Sequence, residues 1–270
     1  MLRIAVAGVA GRMGSRIAQL VAEAEDLELA GVFERPDHPL VGKDVREAAG
    51  GAAAGRAIAS SIGEVLEGCD VVIDFTSARS SLENLEAAAA AGRPMVIGST
   101  GFSRDDLSRA AALAARIPCV LAPNMSVGVN VLFKVVADAA RLLGTDFDVE
   151  IVETHHRFKK DAPSGTALKL AQVIAEALNR DLEAAGVFSR HGMIGERPKD
   201  AIGVQTLRGG DIVGEHTVLF AGMGERIEIT HRAHSRDNFA RGALQAARWV
   251  AAQPPGLYDM QHVLGIKTRL

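Results

Sequence analysis

Arg3-Ile4-Ala5-Val6-Ala7-Gly8-Val9-Ala10-Gly11-Arg12-Met13-Gly14 decides the fold. A short apolar run with strand character ends in three glycines spaced GxxGxxG, and a helical pattern over Met13–Ala24 follows at once. Glycines are required where a chain must turn tightly and bring its backbone against a pyrophosphate, which then meets the unpaired N–H groups of a helix start. One residue more separates the first two glycines than in the usual dinucleotide fingerprint, and glycines also make purely structural βα turns. The context favours the ligand. Glu34 closes the second strand run, Leu29–Phe33, about 20 residues further on, where an acid that accepts from ribose hydroxyls belongs. Arg35 follows it directly. A carboxylate suits free hydroxyls and a guanidinium suits a 2′-phosphate, so the pair predicts use of both NADH and NADPH.

Beyond this opening, strand-like runs at Asp70–Phe75, Pro94–Ile97 and Cys119–Ala122 alternate with helical stretches near Arg79–Ala91 and Arg104–Arg116. Near-continuous apolar strands between helices predict a parallel sheet covered on both faces. The alanine- and glycine-rich segment 42–59 reads as loop plus an irregular strand. Gly98-Ser99-Thr100-Gly101 and Ala122-Pro123-Asn124-Met125 fall at the carboxyl ends of two predicted strands, and Asp74-Phe75-Thr76 falls at a third. Ligands bind at such ends in open α/β sheets.

After Asn124 the pattern changes. A helix is expected over Val127–Leu143, capped by Ser126 and ended by Gly144, followed by a strand from Phe147 to Val152 and a second helix from Thr166. The runs Ile202–Leu207, Gly214–Ala221 and Glu225–Arg232 read as an antiparallel meander, and a final helix is expected from Ser235 to Ala252, before Pro254-Pro255. The fold class is therefore α/β: an N-terminal Rossmann-like doubly wound parallel sheet over 1–125, completed by 236–270, plus a smaller α+β domain over 126–235 with a mixed, largely antiparallel sheet.

Composition narrows the function. With 270 residues, 23% of them charged and a net charge of −3, no global field points to nucleic acid or membrane surfaces. Aromatic residues make up only 4%, too few for a base-stacking platform. Two cysteines, Cys69 and Cys119, lie beside apolar runs and are expected to be buried reduced thiols. The short apolar start, Met1–Val9, is broken at once by glycines and Arg12 and does not read as a signal peptide. Cytoplasmic residence is the expectation.

The chemistry concentrates at Glu153-Thr154-His155-His156-Arg157-Phe158-Lys159-Lys160-Asp161-Ala162-Pro163-Ser164-Gly165-Thr166-Ala167. Imidazole is the side chain best matched to proton transfer near neutral pH. Adjacent histidines at a strand end point to opposite sides, so one can face a ligand while the other braces it. Lys159 offers a cation to anchor a carboxylate, and Ser164 or Thr166 caps a helix whose first N–H groups bind anions; Gly165 leaves room for close approach. His231 and His234 lack a Cys or acidic partner at metal-ligand spacing, so strand-end and cap roles are expected and no metal.

These residues resemble the signature of the dihydrodipicolinate reductase family, and the likeness extends along essentially the whole chain. It rests on Glu153-x-His155-His156-x-x-Lys159-x-Asp161-Ala162-Pro163-Ser164-Gly165-Thr166-Ala167, on the Gly8 loop, on Asp74-Phe75-Thr76 and Gly98 to Phe102, on Asn124-Met125-Ser126-x-Gly128-x-Asn130, and on Arg208-Gly209-Gly210 to His216. Ala78 and Met125 stand where the family often has proline and an aromatic residue. The resemblance implies that His155 moves the proton with Lys159 as its partner, and that His156, Gly165 and Thr166 hold a cyclic dicarboxylate. It implies that Gly8, Val9, Ala10, Gly11, Arg12, Met13, Glu34, Arg35, Gly98, Ser99, Thr100, Ala122, Pro123, Asn124 and Met125 bind NADH or NADPH. A cytoplasmic homotetramer, joined through its second-domain sheets, is also implied. Two other readings remain at this point: a nicotinamide-linked reductase of another dicarboxylate, and a non-catalytic NAD(H)-binding sensor.

Overall fold

The computed structural model describes residues 1–267. The chain divides into two units, one of Met1–Val127 with Asp237–Leu270 and the other of Gly128–Arg236.

The first unit opens with β1 (Leu2–Ala7), α1 (Arg12–Glu23) and β2 (Leu27–Phe33). It continues with the short α2 (Arg46–Ala49), β3 (Val71–Asp74), α3 (Ala78–Ala90), β4 (Met95–Ile97), α4 (Arg104–Ala114) and β5 (Pro118–Leu121). α5 (Val127–Leu143) leads into the second unit, which contains β6 (Asp148–His155), α6 (Gly165–Ala177), α7 (Leu182–Ala185), β7 (Gly186–Val187), β8 (Ile202–Arg208), β9 (Gly214–Ala221) and β10 (Arg226–Ala233). The chain then returns to the first unit as α8 (Asp237–Val250), β11 (Gly256–Tyr258) and α9 (Met260–Val263).

In the first unit six parallel strands stand in the order β11-β5-β4-β3-β1-β2. Alternation along the strands sends Ile4, Val6, Ile73, Val96 and Val120 to a core built with α1 and α8. Ala5, Ala7, Val72, Met95 and Ile97 go to a second core built with α3 and α4. Both faces are thus covered, which explains why the strands read as continuous apolar runs. β2 lies on one side of β1 and β3 on the other, so the strand order reverses at β1. Ligands of doubly wound sheets bind at the carboxyl ends of the strands that flank such a reversal.

Two features of this unit differ from the sequence reading. Segment 42–59 includes the helical turn α2 and isolated bridges of Asp44 to Ala57 and Phe33 to Ala59, too short to print a period. β11, three residues long, adds a sixth strand beside β5; its Gly-Leu-Tyr carries no alternation to read.

The second unit contains a mixed sheet in the order β10-β9-β6-β8-β7. β9 pairs antiparallel with β6 and β10, while β8 pairs parallel with β6 and β7. The expected meander is therefore not formed: β6 inserts between β8 and β9. Only β9 and β10 make a hairpin, around Gly222-Met223-Gly224. Local turn signals show where strands end but not which strand slots between them, and β6 is the buried strand that takes the centre. α5 and α6 cover one face through Leu132, Val136, Leu170 and Ile174, against Val149, Ile151, Val204 and Val218.

Candidate active site

The glycine loop is shaped by close backbone contact. Gly8 has φ +62°, and a Cβ there would meet the Thr76 methyl at 2.7 Å. A Cβ on Gly14 would run into the Gly8 carbonyl, so α1 can start this close to β1 only without a side chain. Gly11 is the N-cap of α1 and provides no side-chain cap. The first helical turn, Arg12 and Met13 included, contains no acidic residue. Glu34 reaches back, and its Oε1 accepts the Ala10 N–H at 2.9 Å. Exposed Arg35 pairs with Asp37 at 3.2 Å, a partner the sequence reading did not name.

The neighbouring loops converge on Asp74, which is fully buried at the end of β3. It accepts from the Thr76 N–H and hydroxyl, the Ser81 hydroxyl and the Asn84 amide. Ser81 also shares a 2.6 Å hydrogen bond with the Ser99 hydroxyl, and the Gly98 N–H donates to the Asp74 carbonyl at 2.8 Å. Ser99 thus spends its side chain on bracing two loops, while Thr100 stays exposed. Val9, Ala122 and Met125 are core residues, and the N–H groups of Val9 and Ala122 donate to the Phe33 and Ile97 carbonyls. Pro123 is exposed, and the Asn124 Oδ1 accepts the Ser126 N–H at 2.9 Å. Glycines cleared of side chains, a bare helix start and an acid beside them match a dinucleotide's phosphates and ribose.

In the second unit one sheet face changes character along its length. Val149, Ile151, Glu153 and His155 alternate along β6, and Ile202, Val204, Thr206 and Arg208 stand in register on β8. On the other side Ile151 pairs with Val218 and Glu153 with His216. An apolar core thus passes, within two residues, into a row of charged and titratable groups.

Glu153 is wholly buried and accepts five hydrogen bonds. Its Oε2 faces the His155 Nδ1 at 2.5 Å and an Arg208 N–H at 2.9 Å. Its Oε1 takes the Ser164 N–H at 2.9 Å, a second Arg208 N–H at 3.0 Å and the Thr206 hydroxyl at 3.2 Å. Burial alone would push this carboxyl up, but the Arg208, His155 and Ser164 hydrogen bonds outweigh it and hold it down to about 2. His155, 13% exposed at its side chain, is lowered by burial, which the Glu153 contact only partly offsets. His216 packs edge-on against His155 with ring centroids 5.2 Å apart, and burial with the nearby His155 drives it down to about 3. Its Nε2 lies 3.1 Å from the Ser164 hydroxyl, which caps α6 by accepting the Ala167 N–H.

The helix start is therefore Ser164, with Gly165 and Thr166 in the first turn; a Cβ on Gly165 would meet nothing within 4 Å. Lys159 donates to both Asp161 oxygens at 2.8 and 2.7 Å, and its charge is close enough to lower His155. His156 is half-buried beside Phe158, with ring centroids 6.2 Å apart. Arg208 also donates to the Asp161 carbonyl, the Gly209 N–H to the His155 carbonyl and the Arg157 N–H to the Gly210 carbonyl, so the turn after β6 is tied to the end of β8. Sequence reading assigned no role to Glu153, Arg208 or His216. The signal was present for Glu153, which falls in phase with Val149 and Ile151 on the core face.

Comparison with known proteins gives the family. Residues 2–125 match the family model described as dihydrodipicolinate reductase, N-terminus, and residues 128–264 the one described as dihydrodipicolinate reductase, C-terminus. The chain is 65% identical over 267 residues to a 4-hydroxy-tetrahydrodipicolinate reductase of Syntrophobacter fumaroxidans, covering 99% of this chain and 100% of that one. A protein of the same description from Syntrophus aciditrophicus is 58% identical over 268 residues, with 99% and 100% covered. Among solved structures, a dipicolinate-bound dihydrodipicolinate reductase from Paenisporosarcina sp. TG-14 superposes with a TM-score of 0.75 at 26% identity, covering 96% of this chain and 97% of that one. On its sequence, its two units and these likenesses, the chain belongs to the dihydrodipicolinate reductase family.

Proposed function

We propose that this protein reduces 4-hydroxy-tetrahydrodipicolinate to tetrahydrodipicolinate with NADH or NADPH, a step of lysine and diaminopimelate biosynthesis. Substrate, reduced nicotinamide and one proton become product, oxidised nicotinamide and water. The observation that supports it best is the meeting of His155, Lys159 and the Ser164-capped helix start at the end of β6, in a chain so similar to named reductases of this substrate.

Gly8, Val9, Ala10, Gly11, Arg12 and Met13 would hold the dinucleotide's phosphates, with Glu34 and Arg35 at the ribose. Gly98, Ser99, Thr100, Ala122, Pro123, Asn124 and Met125 would line the nicotinamide end. When bound, the reduced nicotinamide supplies the hydride. His155 handles the proton, and Lys159 exchanges Asp161 for a substrate carboxylate and favours negative charge beside His155. His156 and the amides of Gly165 and Thr166 hold the dicarboxylate ring. Asp37 is a ready partner for Arg35 when the ribose has no 2′-phosphate, which supports dual cofactor use. We propose a cytoplasmic homotetramer; among the described residues no helix is long and apolar enough to cross a membrane.

Initial rates of NADH and NADPH consumption with freshly generated substrate test the reading. Turnover with both cofactors is expected. Cofactor binding without turnover of this or any other cyclic dicarboxylate would make the chain a sensor.

A further inference from the structure

The reduction needs a proton from a defined atom, and a free imidazole exchanges between two tautomers. At His155 the choice is made by the buried acceptor beside it. An ionised carboxylate only accepts hydrogen bonds, so the His155 nitrogen facing Glu153 Oε2 at 2.5 Å carries a proton. The other nitrogen, Nε2, faces Gly214, where a Cβ would stand 2.9 Å away. The same carboxylate grips the Ser164 N–H through Oε1, and Arg208 clamps both oxygens.

We propose that Glu153 is the positioning residue of the proton-transfer site. Its Oε2 holds one His155 proton on Nδ1 and leaves Nε2 as the atom that takes up a solvent proton, giving the imidazolium, and passes it on in the reduction. Its Oε1 fixes the amide of Ser164, and with it the helix start that receives a substrate carboxylate. One buried side chain thus sets the spacing between proton donor and anion site. The role in turnover rests on the reduction proposed above; the tautomer does not.

Four charged or titratable groups face His155: Glu153 from its own strand, Arg208 from β8, His216 from β9 and Lys159 from the turn after β6. Of these, Glu153 favours the imidazolium, while Lys159 and Arg208 oppose it. Removing the carboxylate charge therefore moves the His155 limb of the pH–rate profile to lower pH, which a merely structural residue would not do.

The test uses the full chain labelled with ¹⁵N-histidine, with H155Q identifying the His155 signals. The wild type is expected to show the Nδ1–H tautomer at neutral pH. In Glu153→Gln that preference is lost and kcat falls about 10²–10⁴-fold, the range spanned by general acid–base catalysis and by tautomer loss in a hydrolytic triad. Glu153→Asp, which keeps the charge on a shorter stem, recovers part of kcat and returns the pH limb towards the wild-type position. An Nε2–H tautomer in the wild type overturns the proposal, whether or not any variant folds. So does a folded Glu153→Gln protein with kcat within about threefold of wild type and an unmoved limb, since acid–base effects are far larger. A wild type with the Nδ1–H tautomer but no turnover supports the positioning geometry and overturns the reduction.

Discussion

At Gly214 a missing side chain is part of the site. A Cβ would stand 2.9 Å from the His155 Nε2, so Gly214→Ala must displace either the ring or β9. A proton donor shifted by even 1 Å loses about 10²-fold in rate, and kcat of Gly214→Ala should fall by that order while cofactor Kd stays put. Glu34 is the matching test in the first unit. Its carboxylate accepts the Ala10 N–H beside the glycine loop and would repel a 2′-phosphate there. Glu34→Ala should raise the kcat/KM ratio of NADPH over NADH; an unchanged ratio in steady-state assays would remove Glu34 from cofactor choice. The glycine loop and the histidines were legible because glycine spacing and clustered polar residues leave a mark in sequence. Arg208 and His216 were not, because they come from β8 and β9 and meet Glu153 only through sheet register.

Along β6 the period of two puts His155 and Glu153 on one face, a consequence the sequence reading missed because it ended this strand at Val152. That alternation could not reveal that β6 sits between β8 and β9, so the row Thr206, Glu153, His216 stayed hidden behind an expected meander. The row has a pH signature. His216 falls from an ordinary 6.5 to about 3, so on acidification the unfolded chain binds a proton that the folded chain refuses. Its contribution is complete above pH 6.5 and is lost as pH falls towards 3. Glu153, lowered from 4.5 to about 2, adds stability that is complete above pH 4.5 and is lost as pH falls through 2. Thermal unfolding should therefore show Tm falling from pH 7 to 5 with a shallower slope in His216→Gln than in wild type. Parallel slopes would mean that His216 does not control this window.

The chain forms two units, and its return through α8 completes the first. Arg16 pairs with Asp237 at 2.7 Å and Arg248 with Asp26 at 2.6 Å, fastening α8 to the chain's opening elements. Gly242 lets the helix lie against the Met125 carbonyl, and any Cβ there would collide with backbone. Gly242→Val should cost about 1–3 kcal/mol, the usual effect of overpacking, seen as a lower urea midpoint. The Gly8 loop, Glu34 and the alternation of strands and helices made the first unit readable. β11 escaped because three residues without alternation carry no period. The proposed reduction depends on His155 as the residue that handles the proton. It is tested by NADH and NADPH oxidation by His155→Gln with freshly generated 4-hydroxy-tetrahydrodipicolinate, beside a measurement of cofactor Kd. In His155→Gln kcat should be lower by about 10²–10⁴-fold with cofactor Kd unchanged; turnover close to wild type would remove His155 from the reaction.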